Sequence, residues 1–585
     1  MHSASSILAQ TILEHNPKII ESIWDQISED TCGPSSSMIE RASKTRESFF
    51  EILMKQLENV MDQEIIFSPS ERIVSYHRLS LMIRNSIRLL QLPPEEYVLF
   101  LGPNSLDYLS LYFGTIGCGS IPIPLPMSQI TIQDIRTFLI QHTCHYIVIN
   151  EEFDPIWLRK LLESSSALIR KVFIYDSTSE SREKLIKSEK IVPINLCFDY
   201  CETNAIQSNT FEPNDLNLCL AVNRLQNNQW PPIFCLYNHQ SIVYTCELLR
   251  VKKIFDCNTN DIVLCYGPFE QQENLLMFLL GLMNKSTIVL VPNFDSDKIQ
   301  LSIQKFQINT AMLSSNYLLQ LLKEDLIKTD QLNSLTKVFV FGERFAFRFH
   351  QKLLNIFKNV KLFRSFLSVP ETPYPITLMS FDSKTKSTLE TPLPGTRIKV
   401  IDGNRNILEA DRLGLICIER DFSMFAQGYL DIRNSTALMK LNFEIDNRSN
   451  KTRCWLITSE IGYYTEKGSL CFYGQFRSPL RDINCLIDRF QIETCLLDYP
   501  LITEGFAMAT GSGKYAALVS LKLKECFLSP ELIQQITNHI KEHNRGILNI
   551  LVFVKRSLPK SNTGQFIDYF VIKEIQNMIN IRRKF

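Results

Sequence analysis

Apolar positions along the chain repeat in two alternating rhythms. From residue 76, Leu79, Ile83, Ile87 and Leu90 fall at helical spacing; short apolar runs at 97–101, 120–125, 145–150 and 171–176 then read as buried strands, with a helix over 106–116. Residues 177–215, rich in Ser, Glu and Asn, have weak periodicity and read as a linker or insertion. The alternation restarts with strands predicted at 261–266, 287–291, 309–313 and 337–341 and helices at 274–283, 297–306, 317–323 and 350–357. Strands alternating with helices predict a mostly parallel sheet.

The two ends differ from this middle. Residues 1–70 are polar and helical in pattern, around 5–27 and 38–61, divided by the breaker Cys32-Gly33-Pro34. After Pro394 short strands follow at 397–401, 415–419, 454–457 and 470–473; beyond Gly474 come strands near 504–509, 516–521 and 550–555 and a helix over 530–543. The fold class expected is α/β. A helical extension (1–70) precedes a large N-terminal domain of two α/β lobes (71–215 and 216–394) plus a small β unit (395–474), and a small α+β C-terminal domain (475–585) closes the chain.

Composition narrows the function classes. Over 585 residues, 62 Lys and Arg balance 62 Asp and Glu, which leaves no field to attract nucleic acid or an anionic membrane. Sixteen cysteines without a Cys-x-x-Cys pair suggest reduced thiols in a cytoplasmic protein. His142, Cys144 and His145, and the pair Cys197 and Cys201, lack further partners at zinc spacing, so no structural metal is expected. The longest apolar stretch, 275–292, is split by Asn284, Lys285 and Ser286 and falls short of a transmembrane span. Only 20 glycines occur, about half the usual share of ~7%.

Local motifs give little by themselves. Gly511-Ser512-Gly513-Lys514 lacks the first glycine of a phosphate loop and has Tyr515 where a metal-binding hydroxyl belongs, so a hairpin turn is the better reading. Gly114, Gly117 and Gly119 precede a strand, unlike a dinucleotide fingerprint, and read as close helix packing. No Gly-x-Ser-x-Gly elbow is present.

The order of the weaker segments carries more. Ser75-Tyr76-His77-Arg78-Leu79, Gly102-Pro103-Asn104-Ser105, Gly117-Cys118-Gly119-Ser120-Ile121-Pro122-Ile123-Pro124, Gly342-Glu343, Ser368-Val369-Pro370-Glu371, Gly428-Tyr429, Trp455-Leu456-Ile457-Thr458-Ser459-Glu460-Ile461-Gly462, Gly474 and Leu558-Pro559-Lys560-Ser561-Asn562-Thr563-Gly564 follow one another on alternating elements. In this order, over residues 74–578, they resemble the adenylate-forming, AMP-binding superfamily of acyl-CoA synthetases, fatty acyl-AMP ligases, luciferases and peptide-synthetase adenylation domains. Gly281-Leu282-Met283-Asn284, Leu353-Leu354-Asn355-Ile356-Phe357 and Ile487-Asp488-Arg489-Phe490-Gln491-Ile492-Glu493-Thr494 make the chain most similar to the fatty acyl-AMP ligase-like domains of the Disco-interacting protein 2 family.

The resemblance implies a chemistry: ATP and a carboxylate form an acyl-adenylate and release pyrophosphate, and cations and backbone donors offset charge as the transition state forms. It implies that Glu371 holds Mg²⁺; without it, the same residue reads as an acid at a helix N-terminus. Gly342 and Glu343 would lie beside the adenine, Ser368 in the nucleotide site, and Glu460 at the ribose, where the family has Asp. The phosphate loop departs from the family: Leu225, Gln226, Asn227, Asn228, Gln229, Trp230, Pro231 and Pro232 replace a Gly/Ser/Thr-rich stretch, and Ile233 replaces its lysine. Gln475 replaces an arginine and Gln565 a catalytic lysine.

Three readings follow. The first is a catalytically degenerate adenylation fold concerned with lipid or acyl metabolism, its ATP, AMP and Mg²⁺ binding weakened or lost. The second is an active fatty acyl-AMP ligase or acyl-CoA synthetase, and the third a non-catalytic scaffold for a protein partner. An acyl chain or fatty acid is the expected ligand.

Overall fold

The computed structural model describes residues 47–60, 62–125, 131–176, 188–194, 218–224, 233–267, 272–292, 295–315, 329–341, 356–380, 390–393, 396–402, 405–412, 414–421, 425–430, 443–446, 453–466, 470–475, 499–511, 514–521, 529–543 and 549–555, with a few single positions such as Phe269. Its first sheet is all parallel. Strands Tyr97–Leu101, Ile121–Leu125, Tyr146–Asn150, Lys171–Tyr175 and Ile191–Pro193 lie in the spatial order second, first, third, fourth, fifth. Every residue of Ile121–Leu125 and Tyr146–Asn150 is buried, as expected of parallel strands covered on both faces. Pro122 and Pro124 are tolerated because their strand lies at the edge of this sheet, where few N–H groups are needed. The fifth strand falls inside the segment read from sequence as a linker. It is only three residues long, too short for an alternation to register.

The second sheet is built on five parallel strands, Ile262–Tyr266, Thr287–Val291, Thr310–Ser314, Lys337–Phe341 and Leu362–Leu367. Strand Glu64–Phe67 extends it by pairing parallel with Thr287–Val291 and forms a hairpin with Arg72–Ser75. On the opposite side the antiparallel strands Thr377–Ser380, Glu390–Pro392, Leu470–Gln475, Arg453–Tyr464, Gly414–Asp421 and Arg397–Ile401 continue the same sheet. The strands expected as a small β unit of the large domain are hydrogen-bonded in series to the second lobe.

Residues 49–67, read from sequence as part of an extension, are built into the large fold. Helix Phe49–Glu58 starts at a capping box between Ser48 and Glu51, and its buried Phe49, Leu53 and Leu57 join the main core. Gln56 Nε2 donates to the Leu282 carbonyl at 3.0 Å.

The lobes meet through aromatic rings. Phe269 and Phe278 of the second lobe pack against Tyr108, Tyr112 and Phe113 on helix Leu106–Gly117 of the first, with ring centroids 5.4–6.4 Å apart. That helix lies hard against helix Tyr76–Leu90, and the glycines explain how: a Cβ on Gly114 would collide with Ser86 Oγ, and one on Gly117 with Ile87 and Phe50. Ser86 Oγ uses the space to donate to the Ser110 carbonyl at 2.6 Å. The close packing expected of Gly114 and Gly117 is thus observed, whereas Gly119 stands in the left-handed region at φ +77°.

Strands Ile502–Gly511 and Lys514–Leu521 form an antiparallel hairpin in which Gly511 pairs with Lys514, as expected of the Gly-Ser-Gly-Lys turn. Strand Asn549–Val554 joins it in parallel, and helix Pro530–His543 contributes Ile536 and Ile540 to its core. The helices predicted over 317–323 and 350–357 fall largely outside the described residues. Among the described residues, no helix is long and apolar enough to cross a membrane.

Substituting Gly114→Ala should lower stability by ~1–3 kcal/mol through overpacking and loss of the Ser86–Ser110 bond. Gly428→Ala, where a Cβ meets nothing within 4 Å, should leave it nearly unchanged. Chemical denaturation of both variants checks the contrast.

Candidate functional site

The carboxyl ends of the second-lobe strands define one edge, and the candidate site is a turn on that edge. Strand Leu362–Leu367 runs into Ser368-Val369-Pro370-Glu371-Thr372. Glu371 is only 4% exposed. A carboxylate so far from water requires hydrogen bonds, and Oε1 accepts one from the Tyr429 hydroxyl at 2.7 Å.

Tyr429 is delivered by a small three-stranded sheet. Strand Leu218–Arg224 pairs antiparallel with Ile233–Asn238, which pairs in turn with Gly428–Tyr429, placing Tyr429 opposite Cys235. The Gln427 amide donates to the Leu236 carbonyl at 2.7 Å, the Leu430 amide to Phe234 at 2.8 Å, and the Ala426 amide to the Glu371 carbonyl at 2.9 Å. Other side chains clamp the turn from outside: the Tyr237 hydroxyl donates to the Pro370 carbonyl, and Gln272 Nε2 to that of Thr372. Ser368 Oγ donates to Glu273 Oε1 at 2.9 Å.

Two acids therefore flank Tyr237. Burial, with smaller contributions from Cys235, Glu371 and Glu273, pushes its phenol far above the ordinary range, so it stays a donor at any working pH. Burial also raises Glu273, while hydrogen bonds from its own amide and from Ser368 oppose the shift. His239 opens helix His239–Leu249 behind the Asn238 cap and is 1% exposed; burial lowers it to about 4, so it is neutral at physiological pH.

The residues proposed from sequence divide into three groups. Ser368 and Glu371 share the turn just described. Glu460 is buried in strand Arg453–Tyr464, its amide donating to Thr458 Oγ1 at 3.0 Å, and it pairs across the ladder with Gln475. Those two are brought together on neighbouring strands, four and three places away from Leu362–Leu367 in the sheet order. Ile233 is the first residue of its strand and pairs with Arg224, so the segment expected to be the phosphate loop is the connection of a hairpin. Gly342, Glu343, Gln226, Asn227, Asn228, Pro232 and Gln565 lie outside the described residues.

Sequence reading missed the roles of Tyr237, Gln272 and Glu273 and assigned none to Tyr429. The Gly428-Tyr429 pair was the one available signal. Among the described residues, no group of three or more His, Cys, Asp or Glu could hold a metal ion. Glu371 offers a divalent cation one carboxylate, so Mg²⁺ there would need phosphate oxygens and water to complete its shell.

The chain has the α/β fold of adenylate-forming enzymes. Residues 234–430, which contain strand Ile233–Asn238 almost entirely, the Glu371 turn and Tyr429, match the model of the AMP-binding enzyme family. In structure, an anthranilate CoA ligase in complex with anthranoyl-AMP superposes with a TM-score of 0.70 at 15% identity, covering 92% of this chain and 99% of that one. ATP-bound MatB from Rhodopseudomonas palustris gives 0.69 at 15% identity, over 90% and 99%. In sequence, the 4-coumarate–CoA ligase-like protein 6 of Arabidopsis thaliana is 21% identical over 59% of this chain and 61% of its own length. The luciferin 4-monooxygenase of Luciola mingrelica is 24% identical over 49% and 50%. The chain thus spans half to about three fifths of the length of these relatives.

Replacing Tyr429→Phe should destabilise the protein by ~1–3 kcal/mol, because it removes a donor from a buried carboxylate. A denaturant titration showing no loss would mean that the hydroxyl is dispensable to Glu371.

Proposed function

We propose that this protein keeps the ligand-binding scaffold of a fatty acyl-AMP ligase, of the kind found in the Disco-interacting protein 2 family, but has lost ATP-dependent turnover. The observation that carries this reading is the content of residues 225–233. The stretch contains no Gly, Ser, Thr or Lys, and Pro231 and Pro232 have no N–H to offer. A triphosphate needs backbone donors and a cation at that place. Losing one preorganised donor or charge typically lowers a rate by ~10²–10³, and Gln475 and Gln565 stand at two further positions where the family carries cations.

In this reading Glu371 is the metal-type acid, Glu460 the ribose acid, Gly342 and Glu343 the base-proximal residues and Ser368 a further nucleotide-site residue of a site that binds an acyl chain or acyl-adenylate. Mg²⁺ and ATP bind weakly or not at all. A division at residue 475 marks the end of the large domain, which takes in residues 49–67, and the start of its C-terminal unit. A reducing, cytoplasmic setting fits the nine buried free cysteines among the described residues. The contrary reading, an active ligase, is favoured by the burial of Glu371 and Glu460.

Purified protein with ATP, Mg²⁺ and a panel of fatty acids should release pyrophosphate no faster than a no-enzyme control. A non-hydrolysable acyl-adenylate analogue should raise its melting temperature. Robust pyrophosphate release that disappears in Glu371→Ala would overturn the loss of turnover; absence of any shift with the analogue or with free fatty acids would overturn the binding role.

A further inference from the structure

The second sheet contains a topological switch. From strand Ile262–Tyr266 the chain crosses to Thr287–Val291 on one side, whereas its other neighbour, Thr310–Ser314, leads away to Lys337–Phe341. The crossing helices lie on opposite faces. Helix Gln272–Met283 shares a core with Val263 and Cys265 through Leu275 and Phe278, and helix Ser296–Lys305 shares another with Leu264 and Tyr266 through Ile299 and Ile303. Helices departing to opposite faces leave a crevice outside the carboxyl ends of the two strands between them, the place where open α/β sheets admit ligands.

Glu273 stands at that crevice, in the first turn of the helix that follows Ile262–Tyr266. The strand ends around it are tied together: the Tyr266 hydroxyl accepts from the Ser314 amide at 3.0 Å, and Ser368 Oγ, just past strand Leu362–Leu367, donates to Glu273 Oε1 at 2.9 Å. Glu273 and Ser368 are both partly exposed, whereas Glu371 in the same turn as Ser368 is buried. An acid that serves only the helix dipole does so equally well on the open surface, so the dipole does not explain why this one is drawn in against a strand end. The donors acting on Glu273 are its own amide and Ser368, both neutral, and among the described residues no Lys, Arg or His pairs with it. A carboxylate has about four lone-pair sites, so it keeps capacity for a further donor.

We propose that Glu273 sets the class of ligand this site takes: an acyl ligand that carries an amine, its ammonium group paired with the Glu273 carboxylate. The proposal rests on the reading that the Glu371 site binds an acyl chain or acyl-adenylate. An ammonium–carboxylate contact is charge-assisted and roughly twice as strong as a neutral hydrogen bond. A plain alkyl chain laid over Glu273 would strip water from the carboxylate and give nothing back. A site built around such a bond rejects an analogue without the donor far more strongly than an apolar pocket rejects by size. Ser368 is a positioning residue in this arrangement, because it holds the carboxylate that makes the contact.

Calorimetric titration of the full chain at neutral pH with non-hydrolysable acyl-adenylate analogues of equal chain length, bearing an amino group at C2, at C3 or nowhere, tests the assignment. Wild type should bind an amine-bearing analogue roughly tenfold or more tightly than the plain one. Glu273→Gln should remove that preference and Glu273→Leu should reverse it, while Ser368→Ala should reduce it. The ratio of affinities is the decisive readout, since a residue with a purely structural role weakens all the analogues alike. Equal affinities in wild type, or a preference unchanged in Glu273→Gln, would overturn the proposal and leave the acyl-site reading standing. Binding of none of the analogues would overturn that reading and this inference with it. Should Glu273→Leu fail to fold, the isosteric Glu273→Gln decides.

Discussion

A carboxylate withdrawn from water has to be given hydrogen-bond donors, and meeting that demand at Glu371 organises the centre of this molecule. Its side chain draws in Tyr429 and its carbonyl accepts from Ala426, so the Gly428–Tyr429 strand is held against the turn. That strand pairs with Ile233–Asn238, whose Tyr237 reaches back to Pro370. Helix Gln272–Met283 closes the ring through Gln272 and Glu273. A loop, two strands and a helix thus converge on five residues. Displacing any one of them would strand a buried polar group on another, and that mutual dependence fixes the turn more tightly than any single bond of ~1 kcal/mol could.

The lobes depend on a different kind of contact. Phe269 and Phe278 lock into Tyr108, Tyr112 and Phe113 with edge-on and stacked geometries, which add direction to what would otherwise be non-directional burial. Two glycines set how closely helix Leu106–Gly117 can approach helix Tyr76–Leu90, and thereby where the tyrosines point. Backbone economy in one lobe therefore positions aromatic rings at the boundary with the other.

Most of the parallel strands were legible because each is a short apolar run between polar turns: 97–101, 287–291 and 337–341 are observed at the bounds expected. Two kinds of element escaped. Strand Ile191–Pro193 is too short to show a period, and helix Phe49–Glu58 has an apolar face whose destination only tertiary packing decides. The continuity of the later antiparallel strands with the second lobe was also invisible, since among the described residues it rests on one bridge, between Glu390 and Leu470. Glu371 and Glu460 were singled out by their order among other motifs, and the sheet holds them on different strands. Tyr429, Tyr237 and Glu273 were not assigned, because their partners lie 58, 133 and 95 residues away and no local pattern announces a hydrogen bond across such a span.

That same architecture fixes the strands on either side of residues 225–232 through contacts of their own. Strand Ile233–Asn238 is fixed on one side by Leu218–Arg224 and on the other by Gly428–Tyr429, and its following helix is capped by Asn238. The register, the cap and the Tyr237 contact all lie downstream of residue 232. The pairing of Arg224 with Ile233, on either side of residues 225–232, belongs to the ladder of the two strands themselves. Connections between strands carry function more than stability. A glycine serving only to bring backbone amides to a phosphate can be lost without cost to the core, whereas one admitting Ser86 against a helix cannot.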